Sequence, residues 1–407
     1  FGEYDANGTW KAKEYTGTYG TNGFYLPMKP TTQAQGFNTV LYTGNDTTLS
    51  VNGVGFEPDF VWIKCRSHGG SASFEHILTD TVRGANKTLN SDNSNTEAAN
   101  NATGYLSVFD SDGFTVTGGD ATNGIGRTYA AWCWDAGSGS AASNTNGSIT
   151  STVKASDATG FSIVSVAGQN NTSTLTVGHG LSTAPDMIIG KSRNGVGGWG
   201  VWHKDLSSAN YLLYLNSTAA ESVDGGSPAA AFSAVSSSTI TIQNYNRMFG
   251  NGVNGIIYAF SEVSGVSKFD TYTGNGSTTG PVITTGFKPA FVMTKRIDSS
   301  GNWYINDGIR SSNNPTVPLY ADLSNAEGGN GIDLLSNGFQ IKNADSSQNA
   351  SGGTYIYMAF ADTADARFNF DASGNKNNWL PNNINSNAES ETTYDLMKDT
   401  PSLVDEN

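Results

Sequence analysis

One line of sequence is written more than once in this chain. "GFEPDFVWIKCR" spans residues 55–66, "GFKPAFVMTKR" spans 286–296, and a fainter copy, "APDMIIGKSR", spans 184–193. Anchored on Pro58, Pro185 and Pro289, the copies place Lys64, Lys191 and Lys295 six residues on. Arg66 and Arg193 fall eight residues after their prolines, whereas Arg296 falls seven after. Upstream, "YTGN" begins at Tyr42 and again at Tyr272, with a degenerate "VAGQ" at Val166. Downstream, each unit closes on an aromatic-bearing run that ends at Trp134, Phe260 or Phe360. Before that run lies "GFTV" (113–116), "STITI" (238–242) or "GFQI" (338–341). A unit of about 100 residues is too long for a solenoid rung or a propeller blade. It is long enough to enclose a core of its own, so the expectation is three globular beads in an array.

Period-two alternation sets the character of each bead. In "DFVWIKC" Phe60, Trp62 and Lys64 share one face, and Val61, Ile63 and Cys65 share the other. The face of small apolar groups is the expected core face, and the other carries the aromatics and the lysine. Short apolar runs punctuated by Gly, Asn, Asp and Ser read as strands and turns. A proline just ahead of a strand suits a position that needs no ladder donor. The expected fold is all-β: tandem antiparallel β-sandwiches of jelly-roll or concanavalin-like type, with very little helix. The parts are N-terminal strands of a split terminal sheet (1–35), repeats at 36–138, 158–264 and 265–362, a Ser/Gly/Asn-rich linker (139–157) and a C-terminal segment (363–407) that pairs with the N-terminal one.

Charged residues make up only 14% of the chain, against about 25% usually. The balance of 22 basic and 36 acidic residues, net −14, argues against nucleic acid and anionic membrane surfaces as partners. No apolar run approaches the length of a membrane span, and no signal peptide opens the chain. It begins with Phe, which reads as a piece of a longer polypeptide. Two cysteines, Cys65 and Cys133, make no disulfide framework and read as small buried side chains. A bond between them would need adjacent strands.

Few residues advertise chemistry. Cys65, His68 and His76 lack the spacing of a zinc site. Glu57 and Asp59 form the best local carboxylate pair, but the third acid of the β-jelly-roll glucanase motif is missing, with Val61 and Trp62 in its place. The third copy has Lys288 and Ala290 instead of the pair, so no hydrolase and no catalytic residue is expected. Asp110 and Asp112 in "DSDG" make half a calcium loop without its closing Glu; an acidic turn is the simpler reading, and no cofactor is expected. Trp199, Trp202 and Tyr211, with Trp303 and Tyr304 in the corresponding stretch of the third copy, are open to two uses. They could stack on sugars or pack on the next repeat or subunit.

The terminal phrases "YGTNGFYLPM" (19–28) and "DASGNKNNWLPNN" (371–383), together with the first bead, resemble virion structural proteins of marine bacteriophages, cyanophages above all. Many of these are described as tail-fibre-like, with concanavalin A-like (laminin G-type) segments. In similar sequences the two phrases run almost directly together, so everything between them looks inserted. The resemblance implies a virion protein that is no enzyme, a tail fibre or appendage touching host-surface glycans. Its expected partners are copies of itself, a trimer first, and other virion proteins. Capsid decoration, a purely architectural role and a glycan depolymerase are the alternatives. Concanavalin-like folds leave room for calcium at Asp371 and its neighbours, without a closing ligand set.

Overall fold

The computed structural model describes residues 2–4, 10–12, 36–67, 74–169, 174–223, 232–243, 249, 252–311, 314–329 and 331–362. The chain divides into two units, one of residues 1–33 with 364–407 and one of 34–363. In the first, β1 (Gly2–Tyr4) pairs antiparallel with β2 (Trp10–Ala12). The pairing expected between the two terminal phrases, and Asp371 with it, lies outside the described residues.

The larger unit holds the three repeats. The first contains β3 (Phe37–Thr43), β4 (Leu49–Asn52), β5 (Phe60–Cys65), β6 (Ile77–Asp80), β7 (Lys87–Thr88), β8 (Ala98–Ala99), β9 (Leu106–Asp110), β10 (Gly113–Val116) and β11 (Thr128–Trp134). The second contains β12 (Ala142–Asn144), β13 (Ser151–Ser156), β14 (Phe161–Val166), β15 (Thr174–Gly178), β16 (Met187–Ser192), β17 (Gly200–His203), β18 (Leu213–Tyr214), β19 (Phe232–Val235), β20 (Thr239–Gln243) and β21 (Gly255–Phe260). The third contains β22 (Ser267–Thr273), β23 (Val282–Thr284), β24 (Pro289–Arg296), β25 (Tyr304–Asp307), β26 (Leu319–Tyr320), β27 (Ile332–Leu335), β28 (Gly338–Ile341), the short α1 (Ser346–Asn349) and β29 (Thr354–Ala361).

The same sandwich is built three times. Its larger sheet contains the order β3-β11-β5-β6, then β14-β21-β16-β17, then β22-β29-β24-β25. Its smaller sheet is β4-β10-β9, β15-β20-β19 or β23-β28-β27. The proline-anchored strands β5, β16 and β24 are thus equivalent, each paired antiparallel with the closing strand of its repeat. The Gly-Phe strands have a steric reason for their glycine. A Cβ on Gly113 would sit 1.9 Å from the Val51 carbonyl oxygen, and one on Gly338 would sit 1.9 Å from that of Ile283.

Small-residue faces fill three private cores, one within each sandwich. Val61, Ile63, Phe114 and Cys133 belong to the first, Ile188, Ile240 and Ile257 to the second, and Val292, Phe339 and Tyr357 to the third. The aromatic faces were expected to look outward from separate beads. Instead they meet in a fourth, shared core containing Phe37, Phe60, Trp132, Trp134, Phe161, Tyr258, Phe260, Phe291, Met358 and Phe360. Phe60 stacks on Tyr258 at 4.3 Å, Phe37 on Phe360 at 5.1 Å, and Phe260 meets Phe360 edge-on at 6.0 Å, so every repeat touches both others. Rings that bury roughly 150–250 Å² each supply far more apolar area than one sandwich can cover alone. The repeats therefore close into a ring rather than string out.

One further expectation changes, and the reading of the cysteines holds. The tract 139–157, read as a linker, carries β12 and β13, and β13 pairs along its whole length with β14. Edge pairing needs only backbone groups, so a Ser/Thr/Asn-rich sequence does not prevent it. Cys65 and Cys133 are both buried and free. The chain enters the ring at Phe37 and leaves it at Phe360, whose rings stack, so the two ends of the described ring are side by side.

Candidate functional site at the seams between repeats

Several polar side chains that cross between repeats lie at matched positions, and the matching is cyclic. Lys64, Lys191 and Lys295 are fully buried on the aromatic faces. Lys64 Nζ donates to the Ser324 carbonyl of the third repeat at 2.8 Å and to its own repeat's Phe74 carbonyl at 2.6 Å. Lys191 reaches the Ser94 carbonyl of the first repeat at 3.5 Å. Lys295 reaches the Thr218 and Ala219 carbonyls of the second at 3.2 and 3.0 Å. Burial pulls each ammonium down to about 8, because a charge removed from water loses its hydration. Strong backbone acceptors make these sites tolerable.

A ring nitrogen repeats the pattern. Trp199 Nε1 donates to the Asn90 carbonyl at 2.7 Å, and Trp303 Nε1 donates to the Tyr214 carbonyl at 2.9 Å. His76 takes the same place in the first repeat, with Nε2 2.9 Å from the Tyr320 carbonyl. Trp62 Nε1 donates to His76 Nδ1 at 2.8 Å. Nδ1 is therefore the acceptor, and the proton on Nε2 points across the seam. Burial, with Lys64 nearby, holds this imidazole well below its ordinary value and so neutral.

Arg66 forks onto Glu327 at 2.9 Å through both Nε and Nη2, and Arg193 forks onto Glu97 at 2.9 and 3.0 Å. Among the described residues the third seam has no counterpart. The one-residue slip that places Arg296 seven residues after its proline turns it to the opposite face, where it binds Asp298. Ile297 takes the seam position and is buried in the shared core, while Glu221 binds Ser207 in its own repeat. Asp92 and Asp322 lie beside Lys64 and Lys295, and burial pushes both carboxyls up to about 6.

Of the rings proposed for sugar contact, Trp199, Trp303 and Tyr304 are buried. The two tryptophans are seam residues, and Tyr304 hydrogen-bonds to Asp345 within its repeat at 3.0 Å. A buried ring has no face to offer a sugar. Trp202 and Tyr211 are half-buried and pack against the shared core. Asp110 accepts from Thr115, and Asp112 accepts from the Gly53 and Gly55 backbone, so both serve the β9–β10 hairpin and its neighbour β4. Among the described residues no group of three or more His, Cys, Asp or Glu could hold a metal ion. Asp59 is buried and saturated by Thr81, the Ala136 amide and Lys154.

Sequence reasoning missed the seam role of His76 and the pairs Asp80–Arg83 and Asp307–Arg310. A signal was present, because "DTVR" (80–83) and "DGIR" (307–310) fall at the same place in two repeats.

Residues 32–364, which take in all three sandwiches, match the family described as a domain of unknown function, DUF7483. The chain belongs to the DUF7483 family. No curated protein and no solved structure matches it. The DUF7483 match covers the whole ring, so the seams described above are internal to a single DUF7483 domain.

Proposed function

We propose that this DUF7483 chain is a non-enzymatic structural protein of a bacteriophage particle, with the three-sandwich ring as an architectural module of a tail fibre or similar appendage. The closed ring carries this reading. Its aromatic faces, lysines and arginine forks hold the three sandwiches to one another instead of lining a binding groove. The sequence resemblance to phage virion proteins supplies the setting. A glycosidase needs two free carboxylates roughly 5–10 Å apart in a groove, and at the best local pair Asp59 is already saturated by hydrogen bonds. Burial of Trp199, Trp303 and Tyr304 favours architecture over glycan adhesion at those rings.

The test is immunogold labelling of purified particles of the phage that encodes the chain, together with a glycan-array screen of the full chain. Labelled appendages without glycan binding are expected. Particles that lack the chain would overturn the virion reading, and tight binding of a defined glycan would replace architecture by adhesion.

A further inference from the structure

Beneath the arginine forks, two seams share a rule that the third breaks in all its members at once. Asp80 and Arg83 of the first repeat are buried against each other. The Asp80 carboxylate also takes the hydroxyl hydrogen of Tyr258, from the second repeat, at 2.7 Å. Asp307 and Arg310 of the third repeat form the same buried pair, and Asp307 takes Trp132 Nε1–H, from the first repeat, at 2.9 Å. Trp132 and Tyr258 are equivalent: each stands two residues before the last aromatic of its closing strand and is paired with the matching residue of the proline-anchored strand. The third closing strand has Met358 there, which has no hydrogen to give. The facing acceptor places in the second repeat hold His203 and Leu206, both buried, with His203 beside the Tyr357 backbone. Donor and acid–arginine pair occur together twice and are lost together once.

The chemistry explains the linkage. A buried carboxylate has more lone pairs than one arginine and its local backbone satisfy, and a missing donor is costly. A Trp or Tyr polar hydrogen facing Leu206 and an imidazole whose Nδ1 already accepts from the Asp205 amide would be equally stranded.

We propose that positions 80/83, 203/206 and 307/310, each facing residue 258, 358 or 132 of the neighbouring repeat, form a docking code that decides which sandwich face seats on which. An acid–arginine face accepts only a closing strand that carries an N–H or O–H donor. The third repeat, with Met358 and Ile297, is admitted only by the His203–Leu206 face of the second. The order of the repeats round the ring follows from this pairing.

Transplanting the code in the full-length chain tests it, with urea denaturation and proteolysis at the 261–266 junction as readouts. His203→Asp with Leu206→Arg should lower the denaturation midpoint and speed cleavage at the junction. Adding Met358→Tyr should recover most of both losses. In the reverse transplant, Tyr258→Met should lower the midpoint, and adding Asp80→His with Arg83→Leu should recover it. Losses that simply add in both directions would overturn the proposal. If the inserted acid–arginine pair prevents folding with and without the tyrosine, the reverse transplant decides alone.

Discussion

Replacing Lys64 by Met should change how stability depends on pH, by an amount the buried seam fixes. Unfolded, Lys64 keeps its proton up to about 10.5; folded, only to about 8. Between those values the unfolded chain binds more protons than the folded one, so this group makes stability rise with pH. A shift of that size corresponds to about 3 kcal/mol at roughly 1.4 kcal/mol per unit. Integrated from about pH 7.5 to about pH 9.5, Lys64 alone contributes a rise of about 2 kcal/mol. Buried tyrosines and cysteines with raised values oppose the trend in the whole protein, but they cancel when Lys64→Met is subtracted from the parent. The assay is urea denaturation of both full-length chains across that range, followed by tryptophan fluorescence. The parent-minus-variant difference should climb by about 2 kcal/mol, and Lys191→Met and Lys295→Met should behave alike. A difference that stays flat with pH would mean that Lys64 sits in water and that the seam is not closed.

His203, drawn down to about 4 by burial, works at the other end of the scale. Its contribution is present above about 6.5 and fades as pH falls toward 4, so His203→Gln should flatten the acid limb of a denaturation profile by up to ~3 kcal/mol. Trp199→Ala and Trp303→Ala should each lose roughly 3–5 kcal/mol in thermal or chemical denaturation; near-neutral changes would restore the exposed-ring reading. Gly113→Ala and Gly338→Ala should each cost about 1–3 kcal/mol by thermal denaturation. Gly139→Ala, where an added Cβ meets nothing within 4 Å, is the neutral control.

The repeat was legible because local rules write it. Proline before a strand, glycine where a carbonyl crowds in, and alternation along β5, β16 and β24 are all properties of short segments. Alternation states which side chains share a face, however, and not what covers that face. Phe60, Trp62 and Lys64 fell on the face away from the expected core, and a lysine amid aromatics is seldom fully buried. The carbonyl of Ser324 that accepts from it lies 260 residues away. The seam rings were hidden for a similar reason. His76 does for the first repeat what Trp199 and Trp303 do for the others, and no residue-type match joins a histidine to two tryptophans. The strands β12 and β13 escaped notice because Val153 is the one large apolar side chain they bring to a core, and the rest of their pairing is backbone along an edge.

The stacking of Phe37 on Phe360 has a mechanical consequence. Because the chain goes in and comes out at one spot, a force drawn along the polypeptide on either side would be carried across that short gap between β3 and β29. The three sandwiches would hang beside the line of tension as a pendant and would not be stretched by it. By the same geometry, such a module can be acquired or discarded whole, because its own two ends lie together.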